Sequence, residues 1–147
     1  MKNLDELRER IRKKYLEDER YNAPMDDTRQ RYSLRNKFGF YFEYRKLRES
    51  INLFNYAKIN LSGMRILDIG THRGFQLNNL AFLKGSFESL YGIDFVSNFI
   101  RDAKKINPSI NFKQMDFYNL EFKNNSFDLI TLYYVINCMP LVDREDI

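Results

Sequence analysis

The chain of 147 residues has one cysteine, one histidine, no tryptophan, three prolines and six glycines. Each scarcity removes a class of protein. A lone thiol, Cys138, forms no internal disulfide framework and no cysteine-based zinc site; the role left to it is that of a small buried apolar side chain. A lone imidazole, His72, argues against a histidine-rich metal site and a Ser-His-Asp triad, so no metal centre is expected. No apolar run approaches the roughly 20 residues that span a bilayer. The opening "MKNLDELRERIRKKYLEDER" lacks the apolar stretch of a secretory signal, so a cytoplasmic location is expected. Sparse glycine and proline, without repeats or biased segments, leave an ordinary globular composition. The length suits one domain with a real core.

What is abundant is aromatic and charged. There are 13 Phe and 10 Tyr, and 30% of the residues are charged. Residues 1–60 carry 15 Lys/Arg against 10 Asp/Glu, and residues 61–147 carry 9 against 10, which together give the net +4. A basic half can attract nucleic acid or an anionic substrate. Acids interleave the basic residues throughout it, however, which reads as a solvated helix face, and nucleic acid is not the expected partner.

The periodicity changes near residue 63. Leu4, Leu7, Ile11 and Tyr15 recur at helical spacing and predict a surface helix over about residues 3–20. "NAPMDDTRQ", with Pro24, interrupts it. "FGFYFEYRKLRESINLFNYAKIN" resumes the pattern, with Tyr44, Leu47, Ile51 and Phe54 on one expected buried face. Its aromatic cluster reads as helix packing more readily than as a substrate cage. Beyond Gly63, short β-rich runs alternate with helices: "RILDI", "FQLNNLAFLK", "SLYGID", "SNFIRDAKKI", "INFKQMD" and "FDLITLYYVI". Ser97 is the expected N-cap of the second of these helices, and Asn107-Pro108 its stop. Such alternation implies parallel strands joined by right-handed crossovers. Two parts are therefore expected, a helical extension over residues 1–62 and an α/β core over 63–147.

The stretch "RILDIGTHRG" carries the chemistry. A parallel α/β sheet binds ligands at the carboxyl ends of its strands, where strand order reverses. "GTHRG" leaves the first strand and enters a helix, whose N-terminus offers free N–H groups and partial positive charge. The second strand ends in Asp94, twenty residues after Gly74. An acid at that separation accepts both hydroxyls of a ribose. The dinucleotide pattern G-x-G-x-x-G does not fit, because His72 stands at the middle position. Asp68, two residues before Gly70, would repel a pyrophosphate but suits a cationic amino group. The ligand implied is of adenosine type. The plainer alternative makes Asp68 and Asp94 simple strand-end caps. Asp128 opens its strand far from the ligand end and reads as structural. His72 reads as a solvent-facing loop residue, with positive φ if the glycine position demands it.

These residues resemble the class I S-adenosylmethionine-dependent methyltransferases. "ILDIGTHRGFQL" resembles their first motif and "LYGIDFVSNFIRDAKK" their second. "INFKQMDFYNLEFKNNSFDLITLYYVI" is similar to the stretch through their third and fourth strands. The resemblance implies an α/β fold, a Rossmann-like doubly wound parallel sheet, here partial with about four strands and preceded by the helical extension. It implies S-adenosylmethionine as cofactor. Asp68, Gly70, Thr71, His72 and Gly74 would line its methionine end, Asp94 would hold the ribose, and Phe95 would pack on the adenine. Asp116 would accept from the adenine amino group beside Phe117, and Leu132 and Tyr133 would face the sulfonium. Residues before the core often form a lid in this family, which would bring Arg31, Tyr32 and Tyr41 to the substrate.

Two departures stand out. His72 replaces a glycine, which is expected to weaken cofactor binding. The family's sheet normally has seven strands, and four are visible here, so the fourth is expected to be an edge: either the true protein is longer, or a partner or second copy in a homodimer covers that edge, or the chain is a decayed remnant. Methyl transfer needs little beyond alignment and exclusion of water, so no catalytic residue can be named. The signature Asn/Asp-Pro-Pro-Tyr/Phe, which marks methylation of base or amide nitrogens, does not follow the fourth strand. A small-molecule or glycan acceptor is the leading expectation. The alternatives are a non-catalytic or fragmentary cofactor-binding module and a nucleic-acid-binding protein using the basic half.

Overall fold

A computed structural model of the chain describes residues 4–17 and 37–139. Arg31, Tyr32, the Pro24 segment and the final stretch from Pro140 lie outside the described residues. The elements are α1 (Leu4–Glu17), α2 (Lys37–Tyr56), β1 (Ile66–Ile69), α3 (Phe75–Lys84), β2 (Leu90–Asp94), α4 (Ser97–Ile106), β3 (Asn111–Gln114) and β4 (Leu129–Thr131), followed by a 3-10 turn at Ile136–Cys138.

The four strands form one parallel sheet in the order β3-β2-β1-β4. The chain steps outward from β1 to β3, then crosses back to place β4 on the other side of β1. This reversal falls between β1 and β4, and the crevice where such sheets take ligands opens at the carboxyl ends of the strands beside it. All four β1 residues are buried, as a central strand covered on both faces requires. Ile66 packs with Leu77, Leu80 and Ala81 of α3, Ile100 and Ala103 of α4, and Phe54 of α2. Leu67 and Ile69 point to the other face, with Ile93, Met115, Phe117, Phe122, Phe127 and Leu132. Both core helices thus cover one face. The other is covered by aromatics from the β3–β4 connection, where Phe127 meets Tyr91 at 5.2 Å and Phe122 at 4.9 Å. The Arg65 amide donates to Asp128 Oδ2 at 2.8 Å, a structural bond far from the ligand end, as expected for Asp128.

Several sequence expectations need correction. The fourth strand ends at Thr131 rather than running to Ile136, because Tyr134 takes φ 62° and the chain then coils into the 3-10 turn. Ser97 is the first helical residue of α4, not its cap; Val96 holds the cap position and gives its amide to the Asp94 carboxylate at 2.9 Å. On α2 the buried residues are Gly39, Ser50 and Phe54. Tyr44 and Ile51 face solvent with Phe38, Phe40 and Tyr41, so most of the "FGFYFEY" cluster does not pack inward. Phe42 is the exception, stacking on Tyr134 at 5.5 Å.

Candidate functional site

A cavity of about 680 Å³ opens at the carboxyl ends of β1 and β2, roofed by α1 and α2. Its floor is the loop from Asp68 to Gln76. Gly70 lies at φ 68°, and a β-carbon there would strike the Val135 side chain, so only glycine passes beneath that residue. Of the expected binding residues, Asp68, Gly70, Thr71, His72, Asp94, Phe95, Asp116, Phe117 and Tyr133 all line this one cavity.

Asp68 is buried and accepts the Thr131 hydroxyl on Oδ1 at 2.6 Å. Burial pushes its pKa up to about 6, against smaller opposing effects of Thr131, Thr71 and Lys46. Asp94 is likewise raised to about 6 by burial. It accepts the His72 amide on Oδ2 at 3.0 Å and the Val96 amide on Oδ1. Asp94 is therefore a strand-end cap and a cavity wall at once, since each carboxylate oxygen keeps a second lone pair. Asp116 sits further along, accepting the Tyr118 amide at 3.1 Å and facing Arg12 of α1 at 3.4 Å. Above it Tyr15 meets the edge of Phe95 at 6.1 Å.

His72 takes φ 54°, the left-handed conformation that favours the glycine it replaces. It does not face solvent, as the sequence suggested. Its ring lies 3.8 Å from that of Phe99, and burial, followed by the nearby Arg73 charge, lowers its pKa to about 3. His72 is thus neutral near pH 7 and brings no positive charge to the cavity. Beside it Arg73 is 1% exposed, paired to Asp102 at 3.0 Å and set over Phe99 at 4.9 Å.

Four expectations fail. Gly74 is buried beneath the cavity rather than lining it; at φ 78° it caps α3, and a β-carbon there would come within 2.6 Å of the Phe112 ring. Leu132, just past the end of β4, turns to the second core face with Ile93 and Met115, while Tyr133 lines the cavity. Tyr41 is 60% exposed on the outer face of α2 and outside the cavity wall. Cys138 is half-buried rather than buried, with its thiol directed to the Tyr134 carbonyl at 3.4 Å.

Other wall residues escape sequence reasoning. Gln76 is buried, and neither of its amide atoms, nor Thr71 Oγ1, has a hydrogen-bond partner. Both face the cavity. Thr71 approaches Asp68 and Gln76 approaches Tyr133, and each approach favours the ionised form of its neighbour without reaching full hydrogen-bond geometry. Buried polar atoms left this way cost stability unless a ligand completes them. From α2, Glu43 and Lys46 enter the wall as a 2.9 Å ion pair. Ser50 donates to the Lys46 carbonyl at 2.9 Å and lies 2.8 Å from Tyr133 Oη. Its single proton is committed to the carbonyl, so the Tyr133 hydroxyl donates to Ser50, with the Gln76 amide beside it. Only the helical stripe of Leu7, Ile11 and Tyr15 hinted that α1 turns a face inward.

The family model described as "Methyltransferase domain" matches residues 60–144. A phosphatidylethanolamine N-methyltransferase of Cereibacter sphaeroides is 26% identical over 109 residues, covering 70% of this chain and 52% of that protein. The chain thus spans about half the length of the curated relative it matches. Among solved structures, the YcgJ protein of Bacillus subtilis is 22% identical with TM-score 0.55, over 69% of this chain and 42% of its own. An S-adenosylmethionine-dependent methyltransferase of Mesorhizobium loti is 23% identical with TM-score 0.53, over 69% and 44%. These two likenesses concern the fold.

Proposed function

The chain belongs to the methyltransferase-domain family, within the class I S-adenosylmethionine-dependent methyltransferases, and from this we propose that it moves a methyl group from S-adenosylmethionine to a small-molecule or glycan acceptor. The observation that carries the reading is the single cavity joining two buried acids, Asp68 and Asp94, to the unpartnered atoms of Thr71 and Gln76. A cofactor with an amino-acid end and a ribose offers an ammonium, hydroxyls and a carboxylate to match them. The residues present fit that group.

In this reading Asp68 meets the ammonium, Asp94 accepts from the ribose hydroxyls, and Asp116 accepts from the adenine amine. Phe95 and Phe117 supply apolar walls for the base. His72, neutral and folded onto Phe99, leaves its amide to fix Asp94. The extension over residues 1–62 acts through α1 and α2 as a roof on the core of residues 63–147, and excludes water. S-adenosylmethionine supplies a methyl group already activated by its sulfonium, so positioning is the main task left to the protein. Tyr133, lining the cavity with its hydroxyl anchored on Ser50, is placed to orient an acceptor N–H or O–H.

The acceptor class rests on the roofed cavity. The Cereibacter sphaeroides relative is named for phosphatidylethanolamine, which puts ethanolamine-bearing compounds first in a test. Among the described residues no helix is long and apolar enough to cross a membrane. The test is transfer of radiolabelled methyl from S-adenosylmethionine to a panel of small amines, sugars and phosphatidylethanolamine vesicles. Labelled small amine or sugar supports the reading. Binding of the cofactor without transfer to any of these makes the chain a binding module instead, and no binding removes the cofactor reading altogether.

A further inference from the structure

The cofactor reading leaves one charge unanswered. The amino-acid end of S-adenosylmethionine carries a carboxylate as well as an ammonium, and Asp68 can serve only the ammonium. The cationic side chains in the cavity wall are Arg8, Arg12 and Lys46; His72 is neutral. Two of the three belong to the other end. Arg8 stands over the Tyr118 ring at 4.4 Å and reaches Asp5 at 3.6 Å, and Arg12 faces Asp116. Lys46 is the cation at the β1 end, one turn before Ser50 and its link to Tyr133.

Lys46 is also held there. Its side chain is 15% exposed and that of Glu43 19%, with 2.9 Å between the charged groups, and its ammonium lies 5.5 Å from the centre of the Phe42 ring. Its charge is felt by both Asp68 and His72. A lysine ammonium has three donors, so the Glu43 contact leaves others for a ligand. A long cationic side chain ordinarily reaches for water; Glu43 and Phe42 hold this one over the crevice.

We propose that Lys46 binds the carboxylate at the amino-acid end of the cofactor, with Glu43 as the residue that positions it. The inference rests on the cofactor reading and deepens it. Lys46 lies in the helical extension, outside the residues 60–144 that match the family. The extension is then part of the cofactor site and not only a cover for the acceptor.

The test compares two nucleosides by calorimetry on the full chain. S-adenosylhomocysteine has the amino-acid end and 5′-methylthioadenosine lacks it. Lys46→Met keeps the length and apolar stem and removes the charge. The expected result is a loss of roughly 10- to 100-fold in S-adenosylhomocysteine affinity, with 5′-methylthioadenosine affinity unchanged and substantial recovery in Lys46→Arg. Equal losses for both nucleosides, or no loss for either, overturn the assignment of Lys46 while leaving the cofactor reading intact. If the unmodified chain binds neither nucleoside, both fail. Thermal unfolding of each variant, recorded alongside, shows that the compared proteins are folded.

Discussion

At the scale of single residues, Asp68 and Asp94 set the behaviour of the site. Both are acids in apolar surroundings, raised from 3.8 to about 6 in the folded chain. The folded state therefore holds their protons more tightly than the unfolded state does. The stability this contributes is complete below about pH 4 and is lost as pH rises through about 6. A shift of about two units is worth about 3 kcal/mol per group. Denaturant unfolding of the ligand-free chain should show Asp68→Asn gaining stability over the parent as pH rises from 4 to 7. An unchanging difference would mean that Asp68 is not perturbed. Ligand binding runs the other way, because an ammonium and ribose hydroxyls need ionised acceptors. S-adenosylhomocysteine affinity should rise between pH 5 and 7, and a flat profile would count against both assignments. Arg73 makes a separate point. It is fully buried with Asp102 as its carboxylate partner, and removing one member of such a pair strands the other charge. Asp102→Ala should cost about 3–5 kcal/mol in equilibrium unfolding; a cost below about 1 kcal/mol would show that Arg73 finds compensation elsewhere. The acids were legible in sequence because an acid at a strand tip has a positional meaning. Arg73, Lys46 and Glu43 were not, because an isolated charge in a loop or helix reads as solvated until its neighbours are known.

At the scale of elements, the segments with one strong local signal were read well. α3 and α4 occupy the stretches "FQLNNLAFLK" and "SNFIRDAKKI", each bounded by glycine or Asn-Pro. α2 was found but rotated: its inward face carries Ser50, Lys46 and Glu43, and its aromatic face is largely exposed. Hydrophobic periodicity misleads when a helix roofs a polar cavity instead of packing on a core. The fourth strand was overextended because its apolar run continues through a bend that only the backbone reveals. Gly74 shows the same limit. It reads as a ligand-loop glycine, yet its role is to let α3 approach Phe112 on β3. Gly74→Ala meets both a positive φ and a ring at 2.6 Å, and should destabilise the chain by roughly 2–4 kcal/mol. Urea unfolding measures this; a loss below about 0.5 kcal/mol would show that helix and sheet part without strain.

At the scale of the whole molecule, the parallel sheet and its reversal were the most legible features, because strand-helix alternation leaves few ways to connect the chain. The described sheet ends in β4, which pairs only with β1. Ile130 there is 48% exposed, and an open strand edge with apolar side chains invites association. Light scattering over a concentration series should show self-association that Ile130→Lys reduces. Equal scattering by the two proteins would show that this edge is not the contact. Asp68 and Asp94, near the carboxyl ends of the paired neighbours β1 and β2, reach one crevice beside that reversal, and the cofactor reading rests on their convergence. Its most direct test is calorimetric titration of S-adenosylhomocysteine into the parent chain and Asp94→Asn near neutral pH. The account predicts one site per chain in the parent and an affinity at least about 10-fold weaker in the variant, which keeps the shape but loses the charge. Absence of binding to the parent, or equal affinity in the two, would contradict it.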